Sequence, residues 1–159
     1  MSSGVDSAQF RELCGRFVTG VVVVTASGGE GSPAGMTANS FASVSLDPPL
    51  ISINIDRATD FHAVITKAAA FAISVLSSDQ EAVSRRFAST EPDKFAGVGY
   101  HTTDHGLIVL NGVIASIECE TVHRFDAGDH TIVVGRVIGG EVHAGRPLLY
   151  VRGGYGALA

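Results

Sequence analysis

The last third of the sequence constrains the fold most, because aliphatic and β-branched runs there alternate with short turn sequences. The four runs cover residues 107–110, 112–125, 131–142 and 148–151. The turns between them contain Asn111-Gly112, Asp126-Ala127-Gly128-Asp129 and Gly145-Arg146-Pro147. Asn-Gly pairs and polar turns that contain glycine are typical of β-hairpins. The pattern therefore predicts successive antiparallel strands over this part of the chain.

Strands are also predicted in the first half of the chain. Short apolar runs indicate strands over residues 21–26, 35–45, 50–55 and 71–76. Residues 27–33 are rich in glycine and are predicted to form a loop, as are residues 90–103. About six or seven antiparallel strands with two or three short helices predict a closed or partly closed β-barrel.

Three short helices are predicted to accompany these strands. The first begins at Ser7 and carries one apolar face at helical spacing, formed by Phe10, Leu13, Cys14 and Phe17. The second begins at Thr59 or Asp60, and the third begins at Ser78 or Asp79, because these residue types cap helices.

The composition is apolar for a domain of 159 residues. Hydrophobic residues make up 45% of the chain, charged residues make up 17%, and the mean hydropathy is +0.28. Part of the apolar surface is therefore expected to form a subunit interface. The net charge of −5 provides no basic surface for a nucleic acid, so nucleic-acid binding is not predicted.

Cysteine use and hydropathy predict a cytoplasmic protein. Cys14 and Cys119 are far apart and form no Cys-x-x-Cys motif, so both are expected to be free thiols in a reducing compartment. The longest apolar runs, such as residues 21–24, are too short to cross a membrane. The N-terminal residues lack the basic and apolar regions of a secretory signal.

Residues 35–50 contain many small hydroxyl and amide side chains and carry no charge before Asp47. Four of these polar residues share one parity and would line one face of a regular strand: Thr37, Asn39, Ser43 and Ser45. Ser40 lies out of phase with them, which predicts an irregularity at that position. Neutral donors and acceptors at this density favour a planar ligand rich in hydrogen-bonding groups. The alternative is a half-buried strand with a polar outer face.

Two motifs resemble ligand-binding patterns but lack the surrounding features that such sites need. Residues 29–34 match the Gly-x-Gly-x-x-Ala pattern of dinucleotide-binding loops. That pattern requires a helix to follow, whereas here Pro33 lies inside the loop and another strand follows, so a hairpin loop is predicted. His101 and His105 lie in a loop without a third ligand at standard spacing, so no metal site is predicted.

Three further segments carry candidate ligand-binding groups. His130 follows a turn at the start of a strand and could pack against a flat ligand, or could be a solvated turn residue. Residues 150–156 combine aromatic, basic and glycine residues that can hold rings and phosphate, although a frayed terminus is the alternative. Residues 85–89 could likewise bind a ligand or form a solvated helix end.

Four segments, taken in order, resemble the flavin reductase-like family, the small NAD(P)H:flavin reductase components of two-component monooxygenases. They are residues 19–25 (TGVVVVT), 35–41 (GMTANSF), 43–50 (SVSLDPPL) and 128–135 (GDHTIVVG). The resemblance covers residues 8–156 as a single domain and leaves residues 1–7 as a flexible N-terminal tail. It implies an FMN-binding split β-barrel, mainly antiparallel and Greek-key-like, with two or three short flanking helices. It also implies a homodimer with flavin near the subunit interface.

The resemblance also implies which residues bind the ligands. Flavin would be contacted along one central segment, by Met36, Thr37, Ala38, Asn39 and Ser40, with Ser43 and Val44 close by. The adjoining wall would be formed by Asp56, Arg57, Asp60 and Phe61. The ribityl phosphate or an adenylate would meet Arg85, Phe87 and Ser89. The nicotinamide side would be formed by His130, Tyr150, Arg152 and Gly153. Lys94 and Phe95 lie in a variable loop and receive no role.

The implied activity is reduction of FMN or FAD by NADH or NADPH and delivery of the reduced flavin to a partner monooxygenase. The protein would stack and orient two rings, and no residue would act as an acid or base. Hydroxyl, amide and backbone N–H groups of the central segment are expected to donate to negative charge on the flavin. Two alternatives remain: a non-catalytic flavin-binding electron carrier, and a pyridoxamine-phosphate oxidase-like enzyme, which would need more basic residues than the 11 present.

Overall fold

The structure is a computed structural model that describes residues 4–159. Within these residues the α-helices are α1 (Ser7–Gly15), α2 (Asp60–Ile65) and α3 (Glu81–Phe87). The strands of the first half are β1 (Thr19–Gly20), β2 (Val22–Ser27), β3 (Pro33–Ala38), β4 (Ala42–Leu46), β5 (Pro49–Asp56) and β6 (Ala70–Val75). Those of the second half are β7 (Tyr100–Thr102), β8 (Ile108–Leu110), β9 (Ala115–Ala127), β10 (His130–Val142), β11 (Leu148–Val151) and β12 (Gly154–Ala157).

The strands form three antiparallel sheets. A seven-stranded sheet has the order β3-β2-β6-β9-β10-β5-β4, a three-stranded sheet has the order β1-β11-β12, and β7 pairs with β8. The long β9–β10 hairpin is the centre of the large sheet, and β5 and β6 pair with its two sides. The sequence-based prediction of a mainly antiparallel β protein with three short helices is confirmed.

The run of valines in β2 is explained by two hydrophobic clusters. Val22 and Val24 pack in one cluster with β5, β6 and α2, whereas Val23 packs in the other with β8 and α3. Successive side chains of a strand point to opposite faces, so β2 buries both of its faces. Burying a valine fully contributes about 1.5–3 kcal/mol, so this strand contributes to both clusters.

Gly135 allows core side chains to pack directly on the backbone of β10. A Cβ added at this position would lie 2.6 Å from Cζ of Phe71 and 2.7 Å from Cβ of Cys119. The pairing of β10 with β9 shifts register next to this residue, between Val134 and Gly135. A glycine at a bulge is typical of a site where a side chain packs directly on the backbone.

The predicted strand over residues 35–45 is divided in two. β3 ends at Ala38 and lies at one edge of the seven-stranded sheet, whereas β4 begins at Ala42 and lies at the other edge. The predicted irregularity at Ser40 is confirmed, because residues 39–41 connect the two edges. The prediction that Thr37 and Ser43 share one strand face is therefore wrong, and a further register shift separates Ser43 from Ser45.

The predicted loop segments contain two additional strands. Residues 90–103, predicted as a loop, include β7, and the C-terminal residues form β12 rather than a frayed end. Arg152 and Gly153 have φ values of 53° and 76° and form the tight turn between β11 and β12. Positive φ at both central residues is typical of the two-residue turns that join hairpin strands. The glycine-rich loop contains a 3₁₀ turn (Gly29–Gly31) between β2 and β3, as expected for a hairpin.

Helix α1 begins at Ser7 as predicted, and Asp6 caps it by accepting a hydrogen bond of 2.8 Å from the Gln9 N–H. Its apolar face is not covered: Phe10 and Leu13 are 57% and 60% exposed. Phe17, predicted to lie on the same face, follows the end of the helix at Gly15 and is 78% exposed. Residues 1–3 of the predicted tail lie outside the described residues. None of the helices between residues 4 and 159 has the length and apolar character needed to span a membrane.

Candidate functional site

A cleft of about 700 Å³ opens beside β3, between the start of α2 and the loop that follows α3. Six of the predicted flavin residues line it: Met36, Thr37, Asp60, Phe61, Phe87 and Ser89. Ligand clefts commonly have volumes of about 300–1,000 Å³ and mostly apolar walls with a few polar groups. The larger cleft has the size and composition of a ligand site.

A second cleft of about 190 Å³ lies against the other end of the same segment. Its lining combines β3 with α3 and the C-terminal hairpin: Val21, Thr37, Ala38, Asn39, Ser84, Ala88, Tyr150 and Tyr155. Thr37 and Ala88 line both clefts. The central segment predicted from the sequence therefore contacts two adjoining spaces, and Thr37 lies where they meet.

Helix α3 reaches this position because Gly35 has no side chain. A Cβ at Gly35 would lie 3.0 Å from Cε1 of Phe87, so the buried Phe87 ring packs directly on the β3 backbone. Phe95 packs edge-on against Phe87, with 5.0 Å between ring centroids, and holds the loop after α3 over the cleft. These contacts fix the distance between α3 and the central segment.

The hydroxyl groups of the central segment already donate hydrogen bonds within the protein. Thr37 Oγ1 donates to the carbonyl oxygen of Ser84 at 2.6 Å. Ser40 Oγ donates to the Asn54 carbonyl oxygen at 3.2 Å and accepts from the Asn54 N–H at 3.0 Å. A hydroxyl has one proton, so both groups can offer only lone pairs to a ligand. The expectation that these hydroxyls donate to negative charge on the flavin is corrected. The exposed Asn39 amide is a side-chain donor in this segment.

Acidic side chains outnumber basic ones around the larger cleft. Asp60, Glu91 and Asp93 line it, and among the described residues of its wall Lys94 carries the only positive charge. Burial lowers the pKa of Lys94, and the nearby Asp60 carboxylate acts in the opposite direction. Arg86 holds the loop in place by donating to the carbonyl oxygens of Lys94 (2.8 Å) and Asp93 (2.9 Å).

Arg85, predicted to contact a phosphate, lines neither cleft. Its guanidinium donates two hydrogen bonds to Glu81, at 2.9 and 2.7 Å, and lies 4.9 Å from the centroid of the Tyr155 ring. The hydrogen bond with Glu81 is the main cause of the raised pKa of Arg85. Its side chain is 65% exposed and already has an anionic partner.

Three other predicted residues lie together at the ends of β5 and β10, outside both clefts. His130 pairs with Asp56 across the two strands, and the Arg57 N–H donates to the Asp129 carbonyl oxygen at 3.0 Å. His130 Nδ1 lies 2.7 Å from Asp129 Oδ1, and this hydrogen bond lowers the pKa of Asp129. The structure brings Asp56, Arg57 and His130 together without placing them against the central segment of the same chain.

Five further predicted residues line neither cleft: Ser40, Ser43, Val44, Arg152 and Gly153. Ser43 and Val44 are exposed on the edge strand β4. Arg152 and Gly153 form the β11–β12 turn, where the Arg152 N–H donates to the Gly15 carbonyl oxygen at 2.8 Å. Among residues 4–159, no three His, Cys, Asp or Glu side chains are arranged to hold a metal ion.

Several residues that line the clefts were given no role in the sequence-based prediction, among them Ser84, Lys94, Phe95 and Tyr155. Tyr155 belongs to the C-terminal segment whose aromatic residues were noted, and Lys94 is one of only two lysines in the chain. No sequence pattern relates either residue to the central segment, because both are distant from it in sequence and approach it only in the folded chain.

Comparison with known proteins decides the family. The model of the flavin reductase like domain matches residues 14–159. The chain belongs to the flavin reductase-like family. This confirms the resemblance noted from the four sequence segments.

Relatives within the flavin reductase-like family cover nearly the whole chain. The FMN reductase (NADH) SmoA of Agrobacterium fabrum (strain C58) is 44% identical, over 96% of this chain and 87% of SmoA. The reductase subunit HsaB of a flavin-dependent monooxygenase from Rhodococcus jostii (strain RHA1) is 38% identical, over 97% of this chain and 79% of HsaB. Both are similar to this chain over its strands and helices alike.

A solved structure of the family confirms the barrel fold. The NADH:FAD oxidoreductase SgcE6 of Streptomyces globisporus C-1027, in complex with NAD and FAD fragments, superposes with a TM-score of 0.92 at 38% identity. The match covers 99% of this chain and 98% of that chain. The predicted split-barrel architecture is therefore confirmed at the level of the fold.

Proposed function

We propose that the chain is an NAD(P)H:flavin oxidoreductase that reduces FMN or FAD and supplies the reduced flavin to a partner monooxygenase. The observation that carries this proposal is the position of Thr37, on a central segment shared by two adjoining clefts. Two clefts that meet at one segment suit two rings that must lie in contact. The reductase subunits among the relatives support the partnership with an oxygenase.

The larger cleft fits a flavin nucleotide. Its volume of about 700 Å³ is adequate, and the partly buried side chains of Ala34, Met36 and Val64 in its wall provide apolar surface for a ring system. Lys94 is placed to pair with a phosphate, which Arg85 is not, because Arg85 already pairs with Glu81. We assign the flavin to Met36, Thr37, Asp60, Phe61, Phe87, Ser89 and Lys94, and the nicotinamide to the side of Ala38, Asn39 and Tyr150.

When bound, the nicotinamide and the flavin would supply the chemistry, a hydride transfer from nicotinamide C4 to flavin N5. The residues of this chain bind the flavin and the nicotinamide and orient the two rings. The aromatic side chains exclude water, the Asn39 amide donates a hydrogen bond, and the hydroxyl of Thr37 accepts one. No acid or base is required of the protein in this scheme. The names of SmoA and SgcE6 favour NADH as the donor.

We also propose a homodimer. Phe10 and Leu13 on α1, and Phe17 just beyond its end, are exposed apolar side chains, and Leu46 on β4 is 93% exposed. A second subunit would cover such surface and would bring the outlying predicted residues, His130 among them, to the bound ligands. Sedimentation should show a dimer, and replacing Leu13 by Asp should weaken it. A stable monomer with full flavin reductase activity would contradict this proposal.

A cytoplasmic location is proposed from the cysteines. Cys14 and Cys119 are both free, which fits a reducing compartment. Fractionation of cells that produce the tagged chain tests this location.

The activity itself is tested by measuring oxidation of NADH and NADPH with FMN, FAD and riboflavin in turn. Rapid NADH oxidation with added free flavin, followed by transfer of the reduced flavin to an acceptor, is the expected result. Tight flavin binding without NADH oxidation would instead identify an electron carrier. Oxidation of pyridoxamine phosphate would identify the oxidase-like alternative.

A further inference from the structure

We infer that Tyr155 is a positioning residue for the bound ligands, acting through Ser84 on the hydroxyl of Thr37. The inference rests on the proposed function and adds to it a residue to which the family resemblance gave no role. Tyr155 lies on β12, and its side chain links the C-terminal hairpin to α3. Thr37 is one of the two residues, with Ala88, that line both clefts.

The Tyr155 side chain is held on three sides. Its hydroxyl lies 2.8 Å from Oγ of Ser84, so one of these groups donates to the other. Its ring packs edge-on against Tyr150, with 5.4 Å between centroids, and Arg85 lies 4.9 Å from its centroid. Arg85 is fixed in turn by Glu81. The Tyr155 hydroxyl therefore has little freedom to leave Ser84.

Ser84 transmits this restraint to the central segment. It is fully buried, and its carbonyl oxygen accepts two hydrogen bonds, from the Ala88 N–H at 3.1 Å and from Thr37 Oγ1 at 2.6 Å. One residue thus joins the Tyr155 hydroxyl, through its side chain, to the Thr37 hydroxyl, through its backbone. The three groups come from β12, α3 and β3, which are distant in sequence.

The consequence is a fixed hydrogen-bond polarity at the junction of the clefts. A carbonyl oxygen only accepts, so the single hydroxyl proton of Thr37 points to Ser84. Thr37 then presents lone pairs to the clefts and selects an N–H or O–H group of a ligand. If α3 shifts away from β3, the hydroxyl is free to rotate and this selection is lost. Tyr155 opposes that shift through its hydrogen bond with Ser84.

The test compares Tyr155→Phe with Thr37→Val, Thr37→Ser and the double variant Tyr155→Phe/Thr37→Val. Tyr155→Phe removes one oxygen and keeps the ring contacts with Tyr150 and Arg85. Tyr100→Phe is the matched control, because Tyr100 is an exposed tyrosine on β7 that lines neither cleft. The readouts are the Kd for FMN, the KM for NADH, kcat, the absorbance spectrum of bound flavin and the thermal midpoint.

Tyr155→Phe is expected to raise the Kd for FMN or the KM for NADH by about three- to tenfold, the loss typical of one neutral hydrogen bond. The flavin spectrum should shift, kcat should change less, and Tyr100→Phe should match the wild type. The double variant should be no weaker than Thr37→Val alone, because Tyr155 acts on the ligand only through the Thr37 hydroxyl, which Thr37→Val has already removed. Thr37→Ser should restore most of the affinity that Thr37→Val loses. Ser84→Ala, which keeps the carbonyl group, should resemble Tyr155→Phe and provides a second route if that variant folds poorly.

Two results would overturn the inference alone, with wild-type activity intact. In the first, Tyr155→Phe lowers the thermal midpoint while the binding constants and spectrum stay at their wild-type values. In the second, the effects of Tyr155→Phe and Thr37→Val on affinity add fully. Wild-type protein that neither binds flavin nor oxidises NADH would instead refute the proposed function, and the inference would fall with it.

Discussion

Lys94 Nζ donates a hydrogen bond of 3.1 Å to the carbonyl oxygen of Phe87, the last residue of α3. The bond ties the loop to the helix end, where a cation is stabilised by the unpaired carbonyl groups. It also fixes a positive charge in the wall of the larger cleft, among the acidic Asp60, Glu91 and Asp93. A ligand with a phosphate group would find its countercharge at this point.

Replacing Lys94 by Met should weaken FMN and FAD binding by about tenfold, because a charge-assisted hydrogen bond to phosphate is lost at a partly exposed site. Riboflavin, which lacks the phosphate, should be affected less than about twofold. Flavin fluorescence titration measures all three affinities. Lys67→Met is the matched control, since Lys67 is the other lysine of the chain and is exposed. If Lys94→Met weakened the binding of FMN and riboflavin equally, the assignment of Lys94 to the phosphate would be wrong.

Replacing His130 by Ala should raise the KM for NADH more than it raises the Kd for flavin, if His130 faces the nicotinamide in the dimer. Steady-state kinetics and flavin titration give the two numbers. His143→Ala is the control, because His143 is an exposed histidine beside Glu141 and lies in another turn. The opposite pattern, with flavin binding affected more, would place His130 on the flavin side.

The same substitution has a pH signature at Asp129. The hydrogen bond from His130 lowers the pKa of Asp129 in the folded protein. A carboxyl group with a lowered pKa stabilises the fold above its ordinary pKa of 3.8 and loses that contribution as the pH falls through the folded value. In His130→Ala the pKa of Asp129 should return upward, and NMR titration of its carboxyl carbon detects this. An unchanged titration would show that the pair is not formed in solution.

Gly135→Ala should lower the free energy of unfolding by about 1–3 kcal/mol, the cost of forcing a methyl group into a filled core. The added Cβ would lie 2.6 Å from the Phe71 ring, which is itself fully buried and cannot swing away. Gly20→Ala is the control, since nothing lies within 4 Å of a Cβ at that position. Chemical denaturation compares the two variants, and equal stability would contradict the close approach.

Cys119 should resist alkylation as long as the protein is folded. Burial, together with the nearby Glu118 carboxylate, raises the pKa of its thiol to about 12, and the thiolate is the reactive form. At about pH 8 its peptide should stay unmodified by iodoacetamide in native protein and become modified after unfolding in guanidinium chloride. Mass spectrometry follows the peptide, and rapid labelling of native protein would refute the burial.

Local patterns in the sequence predicted most of the fold. The valine run of β2, the β9–β10 hairpin and the starts of α1 and α2 follow from propensity and turn residues that act over a few positions. The break at Ser40 is different, because β3 and β4 take opposite edges of one sheet. Periodicity in one segment cannot show which edges it will join, so the predicted shared face of Thr37 and Ser43 was wrong.

The sequence predicted which types of residue form the candidate site. The positions and directions of their side chains depend on contacts between residues that are distant in sequence. Thr37 and Asn39 were identified by their residue types and Met36 by the family resemblance, and all three line the clefts. The direction of the Thr37 hydroxyl is set by Ser84, 47 positions away. The place of Lys94 is set by Arg86, which clamps a loop that has no periodic pattern. Neither contact can be predicted from the spacing of residues along the sequence.

The double burial of β2 has a consequence for how the domain comes apart. Val22 and Val24 pack in one cluster and Val23 packs in the other. If one cluster loosens, β2 loses the packing on one of its faces, and the other cluster loses part of its own packing with it. The two halves are therefore expected to melt together, in a single calorimetric transition whose van't Hoff and measured enthalpies agree. Such cooperativity would let ligands enter and leave the clefts beside β3 repeatedly while the two hydrophobic clusters stay folded.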